Sequence, residues 1–133
     1  MPNTENTRTY TATIIESNRE LSVQEKVKMK DTRDAISLEK ISRDESVTLG
    51  VTGYAVLAIH NEKSEDKDYN QYLLLGANGE KYVTGSVAFY NSFRDIWDDL
   101  SGEEMPAEGW SIKVYQLPSK NFTGRNFVTC SLA

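Results

Sequence analysis

Residues 46–60, SVTLGVTGYAVLAIH, decide the fold. Val47, Leu49, Val51, Ala55, Leu57 and Ile59 alternate with Thr48, Thr52, Tyr54 and His60, the period of two that a strand with one buried face imposes. Gly50 and Gly53 fall inside the run, and a residue without Cβ lets a strand bend sharply, as barrel strands do. The reading places the aliphatic set in the core and Tyr54 and His60 on the opposite face.

Downstream, residues 62–68, EKSEDKD, form a charged loop. Residues 69–85, YNQYLLLGANGEKYVTG, read as a hairpin with Asn78-Gly79 as a two-residue type I′ turn. Its faces are mixed, and the pattern does not say which of Tyr69, Tyr72 and Tyr82 is buried. Ser86 is a good N-cap, and Phe89, Phe93, Ile96, Trp97 and Leu100 then lie on one stripe of a helix. After the acidic loop GEEMPAEG, 102–109, the segments WSIKVYQL, 110–117, and NFVTCSL, 126–132, are two strands joined across PSKNFTGR.

Upstream the signals are weaker. In LSVQEKVKMK, 21–30, Ser22 and Glu25 fit a helix capping box, whereas Val23, Val27 and Met29 fall on one face of a strand; the strand is favoured. DAISLEKI, 34–41, is a short connector with a helical turn whose Ile36, Leu38 and Ile41 plug an end of the core. Residues 1–17 are polar apart from TATII, an edge strand, and about the first seven are expected to be mobile.

The order is strand, strand, strand hairpin, helix, strand, strand. It predicts a mainly β, OB-fold-like five-stranded barrel with one helix between the third and fourth strands, a fold that commonly binds oligonucleotides and oligosaccharides. Residues 18–133 make this domain, and 133 residues suit one core. No apolar run approaches the roughly 18 residues of a membrane span, and the start lacks an apolar leader, so a cytoplasmic protein is expected. The single cysteine, Cys130, excludes an internal disulfide, and no Cys/His cluster offers a zinc framework.

With 20 acidic and 15 basic side chains the chain repels nucleic acid as a whole, so binding needs a local patch. Lys113, Tyr115, Lys120, Phe122, Arg125 and Phe127 supply one around the last turn. If Ile112, Val114, Val128, Cys130 and Leu132 face the core, Lys113, Tyr115 and Phe127 face out. Aromatic rings interleaved with cations bind single strands, at about 1–3 kcal/mol per stacked base. Lys26, Lys28, Lys30 and Lys81 add cations near the other strands. The competing reading is that the tyrosines fill a small barrel and the lysines keep edge strands soluble.

Other constellations are poorer. Asp95, Asp98, Asp99, Glu103 and Glu104 lack the spacing of a calcium loop and read as a solvated helix end. His60 is the only histidine and has no nucleophile beside it in sequence. There is no P-loop, HExxH or GxGxxG, which argues against an enzyme, and no cofactor is expected. Asn121-Phe122-Thr123 matches a glycosylation sequon, which matters only for a secreted chain.

From about Leu21 to Leu132 the chain resembles the small single-stranded DNA-binding proteins of tailed phages, most closely those of podophages with protein-primed replication. The resemblance rests on SVTLGVTGYAVLAIH, on LLLGANGEKYVTGS leading into VAFYNSFRDIWDDL, and on SIKVYQLPSKNFTGRNFVTCSL. It implies an OB-like domain that coats displaced strands during replication, protects them from nucleases and removes secondary structure. It further implies stacking tyrosines, for which Tyr54, Tyr72 and Tyr82 lie in the matching stretches. No acidic tail follows Leu132, so recruitment of partners through such a tail is not expected.

The combined expectation is a non-enzymatic single-stranded DNA-binding protein. Tyr54, Tyr72, Tyr82, Tyr115 and Phe127 stack bases, Lys28, Lys81, Lys113, Lys120 and Arg125 neutralise phosphates, and Trp110 flanks the groove. Its partners are single-stranded DNA and replication proteins. Two alternatives stay open: a phage structural or protein-interaction module using the same aromatic face, and an RNA- or carbohydrate-binding OB module.

Overall fold

The computed structural model describes residues 9–120 and 124–133. The expected mobility of the first seven residues, and Phe122 and the sequon, lie outside the described residues. The chain is mainly β, a curled sheet that forms an open half-barrel. Its elements are β1 (Tyr10–Ser17), α1 (Val23–Lys30), β2 (Ile36–Ser37), α2 (Leu38–Ile41), β3 (Val47–Asn61), β4 (Asp68–Gly76), β5 (Lys81–Thr84), α3 (Val87–Leu100), β6 (Trp110–Pro118) and β7 (Asn126–Leu132).

β3 is the spine. β4 runs antiparallel along one edge from Val51 to His60. The other edge is shared: β6 pairs with Val47–Val51 and β1 with Ala55–Asn61, both antiparallel. The sheet continues β4–β5–β2 on one side and β6–β7 on the other.

The alternation of β3 does not run unbroken. The register with β4 shifts between Val51 and Gly53, an irregularity of the bulge type, and one extra residue moves every later side chain to the opposite face. Tyr54 and Val56 therefore continue the face of Val51, whereas Ala55 turns to the other side. On the inner face Phe89 and Phe93 of α3 and Leu38 of α2 join Val51, Tyr54, Val56, Tyr72, Leu74, Tyr82, Ile112, Val114, Val128 and Cys130 in one core. On the outer face Leu21 and Met29 cover Ala55 and Leu73. Burial on both faces is why the strand is rich in aliphatic residues at successive positions.

α3 forms as its stripe predicts, with the Ser86 hydroxyl accepting from Phe89 N–H at 3.1 Å. The strand expected over 21–30 is instead a helix. Ser22 Oγ accepts from Glu25 N–H at 3.2 Å and the Glu25 carboxylate accepts from Ser22 N–H at 2.9 Å, the reciprocal capping box. The β4–β5 hairpin forms, but its turn is not type I′, which needs positive φ at both central residues. Only Gly79 is left-handed there, at φ +86°, and Gly79 N–H donates to Gly76 C=O at 3.0 Å. Asn78 serves by its side chain, accepting from Glu80 N–H at 3.0 Å.

The loop before β6 crosses β3 at Gly109, which has φ +77° and whose absent Cβ would lie 2.5 Å from Val51 O. Only glycine fits that crossing.

Candidate nucleic-acid interface

The candidate aromatic residues separate into two groups. Tyr54, Tyr72 and Tyr82 are 5%, 7% and 6% exposed and belong to the inner core, which corrects their expected place as surface stackers. Pairing explains it: Tyr54 lies opposite Leu74, itself opposite Tyr82, and Tyr72 lies opposite Val56, so all three point into the inner core. The Tyr54 ring meets Phe93 and Trp97 edge-on at 5.4 and 5.5 Å, with the Arg94 guanidinium 5.3 Å from its centroid. Tyr72 stacks on Tyr90 at 4.4 Å. No face of these rings is open to a base.

Their hydroxyls are committed too. Tyr54 donates to Glu16 at 2.8 Å and Tyr90 donates to the same carboxylate at 2.5 Å, while Arg94 pairs with Glu16 and, at 2.9 Å, with Asp98. Burial pushes the Tyr54 phenol up to about 12. Asn78 donates to the Tyr82 hydroxyl at 3.1 Å. The network ties β1 to α3, and nothing in the sequence spacing announced it.

Lys81 is also corrected. Its ammonium donates to the carbonyls of Lys28 and Asp31 at 2.9 and 2.5 Å and pairs with Asp34 at 3.2 Å, closing the end of α1 onto β5. Cations at a helix C-terminus satisfy carbonyls that lack intrahelical donors. Lys28 is exposed at the same corner, among Glu25, Asp31 and Asp34, and so belongs to a mixed-charge surface. Trp110 is half-buried at the core margin opposite Val51.

The second group stays at the surface. β6 and β7 pair from Ile112–Leu132 to Pro118–Asn126, and Ser119 N–H donates to Arg125 C=O at 2.8 Å beyond the last pair. Ile112, Val114, Val128 and Cys130 point inward. On the other face the register sets Lys113 opposite Ser131, Tyr115 opposite Thr129 and Leu117 opposite Phe127. Lys113 is exposed, Tyr115 and Phe127 are half-buried, and Leu117 is 42% exposed. The Lys113 ammonium lies 5.9 Å from the Tyr115 centroid, within cation–π range. Lys120 and Arg125, both exposed, flank the turn.

Such a face offers flat rings, an aliphatic shelf and cations within one two-stranded ribbon. It suits a ligand with stacked planar groups and a negative backbone. Cys130 lies on the reverse, its thiol pushed up to about 12 by burial, so it is a core side chain and no nucleophile. His60 is held between Asp68, with Nδ1 at 2.7 Å from its carboxylate, and Glu62. The Asp68 hydrogen bond, then that of Glu62, raises its pKa above the usual imidazole value. No family model, no curated protein and no solved structure matches the chain.

Proposed function

We propose that the protein is a non-enzymatic single-stranded DNA-binding protein that coats and protects displaced strands during replication. The observation that carries this reading is the Lys113–Tyr115–Leu117–Phe127 face of the β6–β7 hairpin, flanked by Lys120 and Arg125, on a body of formal charge −5. An acidic domain with one cationic, aromatic face grips an anionic strand locally while repelling it elsewhere. Bases stack on Tyr115 and Phe127, and Lys113, Lys120 and Arg125 meet phosphates.

Connectivity supports an OB-like reading of the half-barrel. β3, β4, β5, α3, β6 and β7 follow the order of five strands with a helix between the third and fourth, and β6 returns to the free end of β3. β1, β2, α1 and α2 are additions to that plan.

Titration of a fluorescently labelled thymidine oligomer at two salt concentrations, with duplex of equal length as control, tests the proposal. Salt-weakened binding of the single strand alone is expected. Absence of binding at low salt would overturn it and leave the hairpin face to a protein partner.

A further inference from the structure

The hairpin face does not end at Phe127. Between the β6–β7 hairpin and the first turn of α3 opens a cleft of about 1160 Å³, larger than the ~300–1,000 Å³ of ordinary small-molecule pockets. Phe127 and Lys120 belong both to the hairpin strip and to this cleft. Leu117, Pro118 and Val87 supply apolar walls, with Leu117 and Val87 42% and 59% exposed.

Across from them stands Arg43, just beyond α2, which sequence reasoning did not single out. Its surroundings set it apart. In a protein with a surplus of carboxylates, Arg19 pairs with Glu25, Arg33 with Asp31 and Arg94 with Glu16 and Asp98. Among the described residues the guanidinium of Arg43 has no carboxylate partner, and neither has the ammonium of Lys120. The one carboxylate among the described lining residues, Glu39, accepts from the Thr84 hydroxyl at 2.6 Å. An exposed apolar floor beside two cations that make no salt bridge among the described residues is complementary to a chain of alternating planar and anionic groups.

We propose that a bound single strand continues over Phe127 into this cleft and that Arg43 is the phosphate anchor within it. This rests on the reading of the hairpin as a single-strand platform. A neutral peptide would leave both cations without a partner, whereas a polynucleotide supplies one charge per residue.

The test compares Arg43→Gln, Lys40→Gln and Lys113→Ala with the unaltered protein, using labelled thymidine oligomers of increasing length within the ~4–16 nucleotides of one OB site. Arg43 makes no ion pair among the described residues, so its variant is expected to melt at the same temperature as the parent, which circular dichroism checks. Arg43→Gln is expected to lower affinity about fivefold and to flatten the salt dependence by about 0.7, one phosphate on a single strand. The loss is expected only for oligomers long enough to reach the cleft. Lys40 lies outside the cleft lining, and its variant is expected to bind as the parent does.

If Lys113→Ala weakens binding while Arg43→Gln does not, the cleft proposal is overturned and the hairpin reading stands. An equal loss in Lys40→Gln would also overturn it, because the effect would then be general charge. Failure of the unaltered protein to bind any oligomer would sink both, and the cleft would pass to an acidic polypeptide.

Discussion

Tyrosines on β3, β4 and β5 lie in the inner core, while Tyr115 and Phe127 on β6 and β7 remain at the surface. Both regions carry aromatic residues in alternating strand patterns. The difference lies in what interrupts and what covers them. β3 contains a bulge at Val51–Gly53 that turns Tyr54 inward, and α3 then closes over that face. The hairpin has an unbroken register, and α3 covers its inner side and, on the other face, only Thr129, whose hydroxyl lies 3.3 Å from that of Ser92. Ring exposure is thus set by register and by neighbouring layers, not by alternation alone.

The comparison breaks most sharply on Tyr54. Tyr54→Ala is expected to destabilise the fold by about 3–5 kcal/mol in urea denaturation, as removal of a large buried ring does, with the Glu16 hydroxyl partner lost as well. Tyr115→Ala is expected to change stability by less than about 1 kcal/mol. A Tyr54 variant of parental stability that lost DNA affinity would reverse the assignment of the two regions.

Lys81→Met removes the donor to two carbonyls at the end of α1 and is expected to cost about 1–2 kcal/mol, read from the denaturation midpoint. Its oligomer binding is expected to keep the parental salt slope. Tyr115→Ala and Phe127→Ala should each weaken binding about tenfold, or ~1.4 kcal/mol, at every salt concentration. Lys113→Ala should flatten the salt dependence by about 0.7.

The smallest effect is that of His60. Its folded pKa is raised above the ordinary ~6.5, first by Asp68 and then by Glu62. The charged clasp is therefore complete below about pH 6.5 and is lost as pH rises through the folded value. Titration of the imidazole by NMR should show a midpoint above 6.5, and Asp68→Asn should bring it down. Oligomer affinity on the distant hairpin should stay unchanged by that variant.

Much of this arrangement is readable from the chain. The 3.6-residue stripe of Phe89, Phe93, Ile96 and Trp97, the strand after Ser46 with its alternation up to Val51, and the outward Lys113–Tyr115 pair follow from local periodicity, which sequence carries directly. α1 does not, because Val23 and Val27 are 74% and 61% exposed and only Met29 is buried, so its apolar residues mark no helix face. Its cap was the better guide. The bulge at Val51–Gly53 depends on β4, and the Glu16 network joins residues 38 to 78 positions apart. Arg43 stands out by having no carboxylate partner among the described residues, a property of three dimensions.

The divided edge of β3 also has a bearing on synthesis. On the edge that β1 leaves open, Val47–Val51 pair with Trp110–Val114, while β1, β4 and β5 are all complete by Thr84. A nascent chain therefore exposes the backbone of one half-strand while some sixty further residues are translated. During that interval the ribosome carries a sheet with one open margin, and the hairpin proposed to hold DNA is also the piece whose arrival seals it.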